Sequence, residues 1–211
     1  MLKNKSSIVS ALKYAAPYIR LFKNKIFVIK VGGELFTDKV LTRKLIEQIA
    51  ILQQLGIRII LIHGGGIQST QMASSLGIEA QFVEGRRITD AKSIEIATMI
   101  LNGKINTQIL AVAREFDLNA IGMSGIDAGL INAHRREALK TKDNKLIDYG
   151  FVGDIDSINT DLLEKQLSAN LIPVISPLTC DKNGVILNIN ADTVAAAIAA
   201  AIGAEKLILV S

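Results

Sequence analysis

Two short apolar runs each end in consecutive glycines. Ile26–Val31 (IFVIKV) leads into Gly32-Gly33, and residues 58–62 (RIILI) lead through His63 into Gly64-Gly65-Gly66. Continuous β-branched runs of this length suit strands buried on both faces, the kind found in parallel sheets covered by helices. Glycines directly after such strands mark sharp turns where the main chain can approach a ligand closely.

The rest of the chain keeps the same alternation. Residues 41–55 carry apolar side chains at helical spacing and stop at Gly56, and a helix over 67–76 stops at Gly77. Asp90 is a good N-cap for a helix over 91–101, which Asn102-Gly103 punctuates before a further helix over 105–115. Residues 119–122 read as an inner strand. Residues 130–136 and 148–154 read as hairpin strands separated by the polar run 140–145. Helices over 160–169 and 191–202 alternate with strands over 172–175, 185–188 and Lys206–Val210. Strands alternating with helices predict an α/β fold, a mainly parallel open sheet covered on both faces.

That sheet ends the sequence: Ser211 directly follows an apolar strand. Ligands of open α/β sheets sit beyond the carboxyl ends of the strands, so the chain is expected to be a C-terminally truncated piece of a longer fold.

Composition narrows the function classes. Of 211 residues, 49% are hydrophobic and 21% charged, an ordinary globular balance. The net charge is only +4, aromatics are 4% and Trp is absent, which argues against a base-stacking nucleic-acid surface. Cys180 is the single cysteine, so no intrachain disulfide forms, in keeping with a reducing compartment. The N-terminus lacks a secretory pattern, and the apolar stretch 193–202 is too short to span a bilayer. A soluble, cytoplasmic protein with no membrane or nucleic-acid partner is expected.

Four motifs carry chemistry. In Lys30-Val31-Gly32-Gly33 the glycine amides can face phosphate oxygens, and the lysine adds a movable positive charge for a transferring phosphoryl group. Alone, this motif reads slightly better as a tight turn with a solvated lysine. His63-Gly64-Gly65-Gly66 opens a helix, so three glycines and a helix N-terminus together favour an anion site. His63 itself reads as a structural hydrogen-bonding residue. In Gly85-Arg86-Arg87-Ile88-Thr89-Asp90 an arginine stands ready to clamp a carboxylate, although surface arginine pairs are common. In Asn188-Ile189-Asn190-Ala191-Asp192 two asparagines fall on one side of a continuing strand, and Asp192 either orients a lysine or caps the helix. His134 reads as solvated, Cys180 as no nucleophile, Asp127 as a turn residue, and no Cys/His spacing suggests a metal site.

Taken in order, these motifs resemble the amino-acid kinase superfamily and, within it, the acetylglutamate kinases. VIKVGG, LIHGGG, GRRITD, Gly103-Lys104-Ile105-Asn106, Gly122-Met123-Ser124-Gly125, Asp148 to Gly153, Ile172 to Pro177, NINAD and Ala204 to Ile208 all contribute, from about Ala16 onward. The resemblance implies a three-layer αβα sandwich, with residues 1–24 as a helical extension and 25–211 as the kinase domain. It implies catalytic roles for Lys30 and Asp192, nucleotide γ-phosphate contacts at Gly32 and Gly33, and acyl-glutamate contacts at Gly65, Gly66, Arg87 and Asn188. ATP with Mg²⁺ is the implied cofactor, with the metal held mainly by phosphates. The implied reaction is phosphorylation of the γ-carboxylate of N-acetyl-L-glutamate in arginine biosynthesis. The alternatives are an arginine-sensing domain of an N-acetylglutamate synthase, or a kinase for a related acyl-amino acid such as N-succinylglutamate or aminoadipate. Glu34-Leu35-Phe36 and Ile67-Gln68-Ser69 depart from the commoner Asn-Ala-Met and Pro-Gln, which leaves the acyl group open. Members with an N-terminal helix like residues 7–22 are arginine-inhibited hexamers, so a homodimer or hexamer with an arginine effector is implied. The family's adenine site and second catalytic lysine are expected beyond Ser211.

Overall fold

The strands that end in glycine lie side by side. The computed structural model describes residues 2–78, 82–83, 86–140, 144 and 146–211, without the side chains of 2–6, 8, 82–83 and 86–87. A long helix, α1 (Leu2–Phe22), precedes β1 (Ile26–Val31). A short 3₁₀ turn leads to α2 (Lys39–Gln54), then β2 (Arg58–His63) and α3 (Gly66–Ser75). The two-residue strands β3 (Phe82–Val83) and β4 (Arg86–Arg87) precede α4 (Ala91–Thr98). A π-helical segment, Met99–Asn106, joins α4 directly to α5 (Thr107–Glu115). Then come β5 (Ala120–Ser124), β6 (Ile131–Arg135), β7 (Leu139–Lys140), β8 (Leu146–Ile147) and β9 (Gly153–Ile158). The chain closes with α6 (Thr160–Ser168), β10 (Ile172–Ser176), β11 (Leu178–Cys180), β12 (Ile186–Asn188), α7 (Ala191–Ala201) and β13 (Lys206–Val210).

Among the described residues the central sheet is parallel throughout, in the order β13-β1-β2-β10-β5. Its side chains alternate between two cores. Phe27, Ile29, Val31, Ile59 and Leu61 pack with α2, α3, α4 and α5, whereas Ile26, Val28, Ile60 and Ile62 pack with α6 and α7. Helices on both faces make three layers, and this explains why β1 and β2 read as unbroken apolar runs. A second, mixed sheet in the order β12-β11-β6-β9 lies beside α7.

Two expectations are corrected. Asn102-Gly103 does not end a helix. The chain stays helical through it by widening to π turns, because Ser176 donates a hydrogen bond to Asn102 Oδ1 and Asn106 Nδ2 donates to the Val174 carbonyl. These tertiary bonds override the local breaking signal. The hairpin expected from 130–136 and 148–154 is shifted: β6 pairs with β9 over residues 153–158, and β7 and β8 form their own small hairpin. The strand β11 was not expected from the sequence. It has three residues and follows Pro177, too little for period-2 patterning to register.

Candidate active site

The site is assembled where β1 and β2 end. Their register sets Lys30 beside Ile62 and Val31 beside His63, so the two glycine turns leave the sheet as neighbours. The Gly64 amide donates to the Val31 carbonyl at 2.9 Å, and Gln68 Nε2 donates to the Gly33 carbonyl at 2.5 Å, tying the first turn to α3. A Cβ at Gly33 would stand 2.8 Å from the Gly65 Cα, so main chain packs on main chain there. Glycine at position 33 is a steric requirement. Gly66 has open space around its Cα and begins α3, whose first-turn amides have no partner within the helix.

From the turns a cleft of about 990 Å³ opens, lined by Lys30, Gly32, Gly33, Gly65, Gly66, Asn188 and Asp192 among others. Lys30 Nζ stands 2.9 Å from Asp192 Oδ1, and the lysine side chain is only 13% exposed. The lysine therefore faces the cleft and is not a solvated surface charge. Of the two roles open to Asp192, the structure shows the lysine contact. Helix α7 is capped instead by Asn190, whose side-chain oxygen accepts from the Asp192 and Thr193 amides at 2.8 and 3.1 Å. Asn190 thus leaves the strand path and becomes a cap, while Asn188 is the last residue of β12.

His63 is fully buried, and burial lowers its pKa to about 4, so it is neutral and does no acid–base work at neutral pH. The structural role expected of it holds: Asn106 and the Gly64 carbonyl are its partners. His134 is exposed and pairs with Asp156 at 2.6 Å. Asp127 accepts from the Ser124 amide and hydroxyl at 2.6 and 2.7 Å, as a turn residue does. Of the predicted site residues, Lys30, Gly32, Gly33, Gly65, Gly66, Asn188 and Asp192 share the cleft. Arg87 lies in β4, but its side chain is outside the described residues.

Sequence reasoning missed Arg136 and Tyr149, which also line the cleft. Arg136 makes a forked pair with Asp154, and that hydrogen bond raises the guanidinium pKa further. Glu34 lines the cleft too, its carboxylate folded against the Gly32 Cα. No local pattern marks Arg136, which the β6–β9 pairing brings inward, whereas Tyr149 and Glu34 stand in stretches the sequence flagged without assigning them to the site.

The arrangement supplies main-chain amides, the cations of Lys30 and Arg136 and a helix N-terminus to a shared space, a set that suits anionic groups. A model of the amino acid kinase family matches residues 25–211. The chain belongs to the amino acid kinase family. Acetylglutamate kinases of Myxococcus xanthus and Methanocorpusculum labreanum are 43% and 44% identical over 94% of this chain, covering 66% and 68% of their own lengths. The chain thus spans about two thirds of the relatives it matches. Among solved structures, N-acetylglutamate synthase from Neisseria gonorrhoeae, complexed with coenzyme A and N-acetyl-glutamate, superposes with a TM-score of 0.81 at 27% identity, over 95% of this chain and 45% of that one. As an amino acid kinase family member, the chain has the αβα layering that its motifs predicted.

Proposed function

We propose that this chain provides the acyl-glutamate site and part of the nucleotide site of an enzyme that phosphorylates the γ-carboxylate of N-acetyl-L-glutamate with ATP, in arginine biosynthesis. The observation that carries the reading is the 2.9 Å Lys30–Asp192 pair, set in one cleft with both glycine turns. Identity favours the kinase over the synthase: 43–44% to acetylglutamate kinases against 27% to the synthase.

The residues present fit a nucleotide's phosphate chain, because Lys30 and glycine amides converge on the cleft beside a helix N-terminus. Bound ATP supplies the phosphoryl group. Gly65, Gly66, Asn188 and Arg87 hold the acyl-glutamate so that its γ-carboxylate faces the Gly32-Gly33 turn. A γ-carboxylate oxygen forms the new bond to phosphorus as the bond to the ADP oxygen breaks, and ADP leaves with that electron pair. The nucleophile is already ionised, so no general base is required, and positioning plus charge neutralisation carry the reaction. Lys30 neutralises charge on the moving group, and Asp192 fixes where that ammonium sits. Mg²⁺ would accompany ATP, held mainly by phosphate oxygens, and would supply further charge neutralisation.

Residues 1–24 form a helical extension on a kinase domain of 25–211. On α1, Leu12, Tyr14, Tyr18 and Leu21 are exposed, which supports a homodimer or hexamer assembled in part through this helix, with arginine as an effector. We place the protein in the cytoplasm; among the described residues no helix is long and apolar enough to cross a membrane.

Calorimetric titration of this chain with a panel of acyl-amino acids tests the substrate. N-acetyl-L-glutamate binds and N-succinylglutamate, aminoadipate and aspartate bind at least tenfold more weakly. Preference for another member of the panel would replace the acceptor.

A further inference from the structure

Behind the triple-glycine turn lies a buried polar relay that the phosphoryl chemistry does not use. Asn106, 5% exposed, ends the π-helical segment, and its Nδ2 lies 2.9 Å from the Val174 carbonyl and 3.2 Å from His63 Nε2. A carbonyl only accepts, so the atom facing Val174 is the amide nitrogen, and its second hydrogen is left for His63. His63 Nε2 is then the acceptor. A neutral imidazole has one donor and one acceptor, so the proton sits on Nδ1, which faces the Gly64 carbonyl at 3.2 Å. The surroundings preserve this arrangement. A Cβ at Gly122 would collide with the Asn106 carboxamide, and Leu101 and Ile105 from the same π segment press against Gly65. π segments inside α-helices often accompany functional sites, and here the widened turn brings all three side chains to the back of one loop.

We propose that Asn106 is a positioning residue: by donating to His63 Nε2 it fixes the Nδ1–H tautomer, and that N–H holds the Gly64 carbonyl so that the Gly65 and Gly66 amides face the cleft. The ligand those amides receive rests on the function proposed above. The tautomer and its hold on the turn do not.

Nitrogen-15 NMR of the full chain tests the relay, with His134, the other histidine of the sequence, providing the second imidazole signal. In the wild type, His63 carries its proton on Nδ1. In Asn106→Asp the carboxylate can only accept, so the proton moves to Nε2. The Gly65 and Gly66 amide resonances then shift, and the Kd for N-acetyl-L-glutamate rises about tenfold, the size of one lost buried hydrogen bond. Asn106→Ala weakens binding similarly without adding charge. A wild-type proton on Nε2 overturns the proposal even if both variants fail to fold. So does a switched tautomer that leaves the glycine amides unmoved. If the wild type does not bind N-acetyl-L-glutamate while the glycine amides follow the tautomer, the relay stands and the substrate assignment falls.

Discussion

Lys30 and Asp192 are 162 positions apart, yet their charged atoms meet at 2.9 Å. The sequence offered Asp192 as either the orienter of a lysine or a helix cap, and spacing alone could not choose, because it says nothing about which strand end faces which helix. His63 adds a prediction about stability. Its folded pKa of about 4 lies below the unfolded value of 6.5, so the unfolded chain binds a proton that the folded chain refuses. Folding stability contributed by this residue is full above pH 6.5 and is lost as pH falls towards 4, by roughly 3 kcal/mol at most. Urea unfolding between pH 7 and 4.5 measures it. The loss shrinks in His63→Gln, which has no proton to gain.

Turns and caps decide the element scale. The glycine turns were legible because each follows a buried apolar run, and only glycine allows such close main-chain approach. Gly33→Ala drives a Cβ to 2.8 Å from the Gly65 Cα. This costs about 1–3 kcal/mol of stability, as overpacking does, and widens the cleft mouth. Thermal unfolding with calorimetric titration of N-acetyl-L-glutamate shows lowered Tm and weaker binding together. Asn190→Ala removes the α7 cap and costs about 1 kcal/mol. Chemical denaturation reads that loss. The π segment was not legible: Asn102-Gly103 signals a stop, and only bonds to β10 carry the helix past it. Arg136 was hidden for the same reason, brought to the cleft by the pairing of β6 with a strand distant in the chain.

At the scale of the molecule, the layering was readable because β1, β2 and β10 bury both faces and so lack polar alternation. The β6–β9 register was not readable, since a half-exposed pair carries a weaker pattern and contains a bulge. The same burial difference predicts how the fold opens. Amide hydrogen exchange is slowest in β1, β2 and β10 and faster in β13, where Leu207 and Leu209 are exposed. Equal protection across the sheet would contradict that ordering. Whether two glycine turns and Lys30 guide a phosphoryl group onto an acyl-glutamate carboxylate is decided by N-acetyl-L-glutamate-dependent release of ADP from ATP, in wild-type and Lys30→Ala forms of a protein that also carries the remaining third of its kinase relatives' length. Release requires the acceptor, and Lys30→Ala lowers kcat by about a hundredfold or more with KM for the acceptor changed only a few fold. ADP release that ignores the acceptor, or that proceeds equally well without the Lys30 ammonium, would contradict it.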